Sequence, residues 1–164
     1  MGKIYYVMGK SASGKDTIYK RLVKKMPELG TVRMYTTRPI RDGETNGVEY
    51  IFTDEKQLQA MKDAGKVIEC RTYDTIYGPW SYFTADDGQI DLGSCSYLMM
   101  GTLESYEGLC KYYGAEVMVP LYIHVEDGVR LQRALNRENT QKNPKYAEMC
   151  RRFLADEKDF SKER

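Results

Sequence analysis

The sequence predicts an α/β fold in which a parallel sheet is flanked by helices, and three observations lead there. Apolar runs of strand length alternate with stretches of helical periodicity, an order that implies strand–helix–strand crossovers. The first apolar run, Ile4-Tyr5-Tyr6-Val7-Met8, passes straight into a glycine-bearing loop that opens a helical pattern. A long charged stretch without periodicity, Thr36 to Gly47, then interrupts the alternation and marks a small insertion beside the main sheet.

The loop is Gly9-Lys10-Ser11-Ala12-Ser13-Gly14-Lys15-Asp16-Thr17. Its Gly-x4-Gly-Lys spacing, between a buried strand and a helix, is that of a phosphate-binding loop. Glycines allow the tight turn, backbone N–H groups face an anion, the helix N-terminus adds partial positive charge, and Lys15 reaches the outer phosphates of a nucleotide. A loop of this kind binds ATP or GTP. Asp16 stands where the motif asks for Ser or Thr.

The elements follow in order. Ile18, Leu22 and Val23 give the first helix an apolar face, and Pro27 stops it. Thr31 to Tyr35 suggests a second strand, Tyr50-Ile51-Phe52 a short one, and Asp54 an N-cap for a helix through Leu58 and Met61 that Gly65 ends. Val67-Ile68-Glu69-Cys70 begins another strand, so residues 36–83 form the insertion, with the core in 1–35 and 84–164. Ser96 to Met100 is a buried-strand candidate, Thr102 to Tyr113 a helix, and Val117 to Val125 a strand in which His124 is a satisfied strand residue. Glu126 to Arg137 is helical, and Glu138 to Pro144 is a polar break, part of a lid over about 137–146. Tyr146 to Lys158 is helical with Met149, Phe153 and Leu154 inward. The Met99-Met100 pair and the many tyrosines read as packing.

At 164 residues and 41% hydrophobic composition, the chain is one domain able to bury a core of its own. A net charge of +1 gives no pull toward nucleic acid or a membrane, so anions must be recognised by local clusters and the partners are small molecules. Cys70, Cys95, Cys110 and Cys150 are too scattered for a zinc site or a disulfide framework and read as reduced core thiols of a cytoplasmic protein. No stretch approaches the roughly 18 apolar residues of a membrane span.

A second phosphate site is written into Thr36-Thr37-Arg38-Pro39-x-Arg41-x-Gly43-Glu44-x-x-Gly47-x-x-Tyr50. It sets two guanidinium groups three residues apart and adds a phenol. Arg forks meet phosphate oxygens bidentately, as Lys cannot. Taken alone, these charges also fit a solvated loop.

Joined to the phosphate loop, the run resembles the nucleoside-monophosphate site of guanylate kinases. The resemblance extends in order through Glu69, Tyr77-Gly78 and a late Arg-rich region. It implies a P-loop NTPase fold with a nucleoside-monophosphate (NMP) binding insertion and a closing lid, acting as a monomer or homodimer. It also implies transfer of the terminal phosphoryl of ATP to GMP with Mg²⁺. Arg38, Arg41, Tyr50 and Tyr77 would hold the acceptor phosphate, and Glu69 would accept from the N1 and amino groups of guanine. A carboxylate accepts only, so it suits an edge with two donors. Lys15 with Arg133, Arg137 and Arg152 would surround the transferring phosphoryl. Apart from the resemblance, the preference of Mg²⁺ for oxygen ligands points to Asp16 at the loop, with Thr17 as a weaker candidate. Surface pairing with Glu138 and Glu148 is the competing role for these late arginines.

The chain also departs from that family. It reads Leu98-Met99-Met100-Gly101 where guanylate kinases carry Asp near a strand end, and Met34 where they commonly place Ser. Asp16 and the strand-end Gly are reminiscent of the related ribose 1,5-bisphosphate kinases. The family pattern continues past Arg164 with one more strand and helix. Two other readings therefore stand beside GMP: another phosphorylated acceptor such as a ribose phosphate, and a catalytically silent guanylate kinase-like interaction module.

Overall fold

The computed structural model of the chain describes residues 1–161, so the last three residues of the expected core segment lie outside it. Strand β1 (Ile4–Met8) leads into helix α1 (Lys15–Lys25). Strands β2 (Gly30–Thr31), β3 (Tyr35–Thr36) and β4 (Ile51–Phe52) precede helix α2 (Glu55–Asp63), and β5 (Val67–Thr75) and β6 (Gly78–Ala85) form a hairpin. Then come β7 (Tyr97–Met100), α3 (Leu103–Tyr113), β8 (Met118–Tyr122), α4 (Asp127–Asn139) and α5 (Tyr146–Asp159).

The strands form two sheets. The main one is parallel in the order β2-β7-β1-β8, and β1, buried between β7 and β8, supplies Ile4, Tyr6 and Met8 to the larger core. Val32, Tyr97, Met99, Leu109, Val117 and Met118 complete it. The second sheet runs β4-β3-β6-β5. Its strands alternate their side chains between two faces. Tyr35, Cys70, Phe83 and Ala85 turn to Leu58 and Met61 of α2, and Tyr35 stacks on Phe83 at 5.0 Å. Asp54 and Thr102 cap α2 and α3 by accepting from the N–H groups of Gln57 and Ser105.

The strand expected over Thr31–Tyr35 is instead two strands in different sheets. Val32 goes into the main core, and the chain crosses over at Arg33. There the Gln89 side-chain amide accepts from Arg33 N (2.7 Å) and donates to Arg33 O (3.0 Å), replacing a neighbouring strand. β6, which carries no clean alternation in sequence, extends the second sheet to Ala85. β8 ends at Tyr122 because its partner β1 ends at Met8, so His124 lies beyond the strand rather than in it. Leu154, expected inward, is 67% exposed, since α5 meets the body through Phe153 and charged side chains. Of the expected core thiols, Cys70, Cys95 and Cys110 are half-buried and pack against the two cores, whereas Cys150 is exposed.

Candidate active site

The phosphate loop leaves the carboxyl end of β1, where ligands collect on parallel sheets. A side chain at Gly9 would press on Ile123 O and Ser13 Oγ, both 2.9 Å from where its Cβ would sit. Gly14 takes φ +84° as it enters α1, and Ala12 takes φ +60°, a left-handed conformation uncommon outside glycine. The first-turn N–H groups of Lys15, Asp16 and Thr17 have no acceptor within the helix, so they are available to an anion together with the positive end of the helix dipole. Ser13 is buried, and its hydroxyl has no hydrogen-bond partner among the described residues. Asp16 is exposed at this first turn.

A charged cluster that sequence reasoning missed braces the outer half of the loop. Ser11 N donates to Asp156 Oδ2 at 2.8 Å, and Lys10 Nζ pairs with Glu157 at 2.6 Å. Arg130, 1% exposed, links them: it donates to Ser11 O and Asp127, pairs with Glu157 at 3.2 Å, and lies 4.7 Å over Phe153. Only the Asp127/Arg130 spacing hinted at it in the sequence. Arg133 reaches the same loop, donating to Ala12 O at 3.4 Å. Arg137 is exposed at the end of α4. Arg151 and Arg152 both pair with Glu148 on the surface of α5, at 2.7 and 3.2 Å, and hold its carboxyl down to about 2. Arg152 is thus engaged on α5 rather than directed at the loop. Glu138 is engaged with Lys145 N instead of an arginine.

Arg38 is 3% exposed and packs against the rings of Tyr50 and Phe52, each 5.5 Å away. Its fork closes on Glu44 with bonds of 3.0 and 2.9 Å, and Glu44 also accepts from Arg41 N. The Arg38 guanidinium, helped by the Arg41 amide, pulls the Glu44 carboxyl down to about 2. Tyr82, a second residue the sequence did not single out, packs against Tyr50 at 5.7 Å and interacts with Arg38. Tyr77 does not join this group: it sits at the β5–β6 turn, 77% exposed and stacked on Trp80.

Glu69 is buried on the same face of the second sheet. It accepts from Thr84 (2.7 Å) and from Arg71 (3.2 Å), and α3 packs so closely that a Cβ at Gly108 would collide with Glu69 Cβ. From Glu69 through Arg71, Tyr73 and Tyr82 to Tyr50 and Arg38, this face carries a continuous polar and aromatic stripe.

Residues 1–81 match the family model described as guanylate kinase. Over this half of the chain the similarity is to guanylate kinases. Guanylate kinases of Legionella pneumophila (strain Lens) and Coxiella burnetii are each 37% identical, over 78 and 76 residues that make up 47% and 46% of this chain. The aligned stretch spans 37% of the length of each relative, little more than a third. The guanylate kinase structure from Anaplasma phagocytophilum superposes with a TM-score of 0.61 over 82% of this chain and 67% of that one, at 21% identity. That likeness carries the guanylate kinase fold through the second half, where the family match stops.

Proposed function

We propose that the chain transfers the terminal phosphoryl of ATP to a nucleoside monophosphate, with GMP as the acceptor. The observation that carries this is the stripe on the second sheet. A buried carboxylate at one end suits a base edge with N–H donors, and a guanidinium with phenols at the other suits a phosphate. The phosphate loop at the end of β1 supplies the donor site. Its free N–H groups and Lys15 bind the triphosphate, and Arg133, tied to Ala12 O, adds charge beside the transferring group. Arg137, exposed at the end of α4, and Arg152, once released from Glu148, are the further charges a closing lid brings. No protein nucleophile is required, because positioning two phosphates in line and excluding water accounts for most of phosphoryl transfer.

Mg²⁺ with ATP fits the donor set at the loop. Asp16 presents an exposed carboxylate beside the phosphate-facing amides, and Thr17 adds a hydroxyl. These are the hard oxygen donors magnesium takes alongside phosphates. When bound, the metal neutralises charge on the phosphates. Among the described residues no helix is long and apolar enough to cross a membrane, and the cysteines are free, which supports a cytoplasmic setting.

The test is ATP consumption by the whole chain with GMP, dGMP, AMP, UMP, CMP and ribose 1,5-bisphosphate. Turnover highest with GMP is the expected result. Turnover with the ribose phosphate alone moves the acceptor, and turnover with none makes the chain a binding module.

A further inference from the structure

Beside Glu69 lies an arginine whose donors exceed the acceptors around it. Arg71 is 6% exposed. Its Nε donates to Glu69 Oε2 (3.2 Å), its Nη1 to Thr102 Oγ1 (3.0 Å), and its Nη2 faces only the Met34 sulfur at 3.7 Å. A guanidinium carries five N–H groups, and a thioether is a weak acceptor, so donors remain inside a buried space. Burying a charge with unfilled donors is costly unless something else fills them. The same space holds two further unmet groups. Among the described residues the Tyr6 and Ser105 hydroxyls are fully buried, face each other, and have no hydrogen-bond partner of good geometry. Gly101 is what lets the Tyr6 hydroxyl lie there, since a Cβ on it would collide with Tyr6 Oη. Glu69 keeps lone pairs beyond those given to Thr84 and Arg71. A pocket of about 400 Å³ between β5 and α3 borders both Glu69 and Arg71.

Resting on the kinase reading above, we propose that Arg71 is a specificity-determining residue that donates a hydrogen bond to a carbonyl oxygen on the acceptor's base, while Glu69 takes the adjacent ring N–H. The pair reads an edge that presents C=O beside N–H, as a 6-oxopurine does. It rejects adenine, whose amino group would meet a guanidinium that has no acceptor to offer. Met34 brings no oxygen to this position, which leaves Arg71 as the donor. Glu69 also holds Arg71 in register, because residues two apart on a strand project from the same face.

The experiment measures equilibrium binding by calorimetry, alongside turnover, for GMP, IMP, AMP and 2-aminopurine riboside 5′-monophosphate, which lacks both the 6-oxo group and the N1–H, so that the Arg71 variants separate the carbonyl contact from that of Glu69. On the unaltered chain, GMP and IMP bind, and loss of the C=O/N–H edge weakens binding by at least the roughly 10- to 100-fold worth of one charge-assisted hydrogen bond. Arg71→Lys, which keeps the charge and loses the fork, and Arg71→Met lower GMP binding by a similar factor. They leave AMP and ATP binding unchanged, so the GMP/AMP ratio collapses. If the unaltered chain binds GMP and the 2-aminopurine nucleotide alike, the inference is overturned without any variant. Equal losses for GMP, AMP and ATP in the variants would make Arg71 structural and overturn it too. If no monophosphate binds the unaltered chain at all, the kinase reading fails, a distinct outcome that removes this inference with it.

Discussion

Arg38 shows how much one side chain is asked to do. Its guanidinium is held by two rings, a backbone carbonyl and a carboxylate before any phosphate arrives, so it is oriented in advance. Arg38→Lys keeps the charge and loses the fork. We expect it to raise the KM for the acceptor about tenfold or more and to leave the KM for ATP within about twofold, as steady-state kinetics will show. Glu44 gives a pH prediction. Its folded midpoint near 2 lies below the ordinary value of 4.5. Stability from the pair is therefore complete above about 4.5 and is lost as pH falls toward 2. A carboxyl-carbon NMR titration should place the Glu44 midpoint near 2, and Glu44→Gln should flatten the pH dependence of thermal stability across that window. Asp16 makes a third case. Titrating Mg²⁺ at saturating ATP should show a higher requirement in Asp16→Asn, partly recovered in Asp16→Ser, whose hydroxyl can ligate magnesium. Loss of thermal stability alone, with the Mg²⁺ dependence unchanged, would make Asp16 only a favourable charge at a helix N-terminus.

At the scale of elements, α5 is secured less by apolar burial than by charge. Its Phe153 lies under Arg130, and its Asp156 and Glu157 engage the loop amide and Lys10. Replacing Arg130 with Met removes the common partner of these carboxylates. Asp127 and Glu157 remain about half exposed and recover water, so the cost falls toward the low end of a buried pair, about 3 kcal/mol by denaturant unfolding. Ends of elements with capping chemistry could be read in advance: Asp54 and Thr102 begin helices because their side chains satisfy orphan N–H groups. The end of β8 could not be read, since it is set by where β1 stops rather than by anything in its own residues. Leu154 misled for the same reason: helical spacing gives a face but not what covers it.

For the whole molecule, the phosphate loop, Arg38, Tyr50 and Glu69 were legible because each sits in a local pattern with its own chemistry. Arg71, Tyr82 and Arg130 were not, because their significance comes from partners 31, 32 and 119 residues away in the chain. Tyr77 had a local context as clear, yet it sits at the tip of a hairpin, exposed and stacked on Trp80 rather than beside Arg38. The crossing between the two sheets was equally invisible, since it depends on one glutamine. Two stretches of chain join the sheets, one through Arg33 and one between β6 and β7 that contains Gln89, and the glutamine's amide bonds the first to the second. The two tethers consequently behave as one strap. Any swing of the second sheet toward the phosphate loop must carry Arg33 and Gln89 together or break two hydrogen bonds at once. Gln89→Ala separates the strap into two independent threads, so amide exchange at Arg33 should speed up. The second sheet, with its own residues all intact, would then meet the phosphate loop in many orientations instead of few.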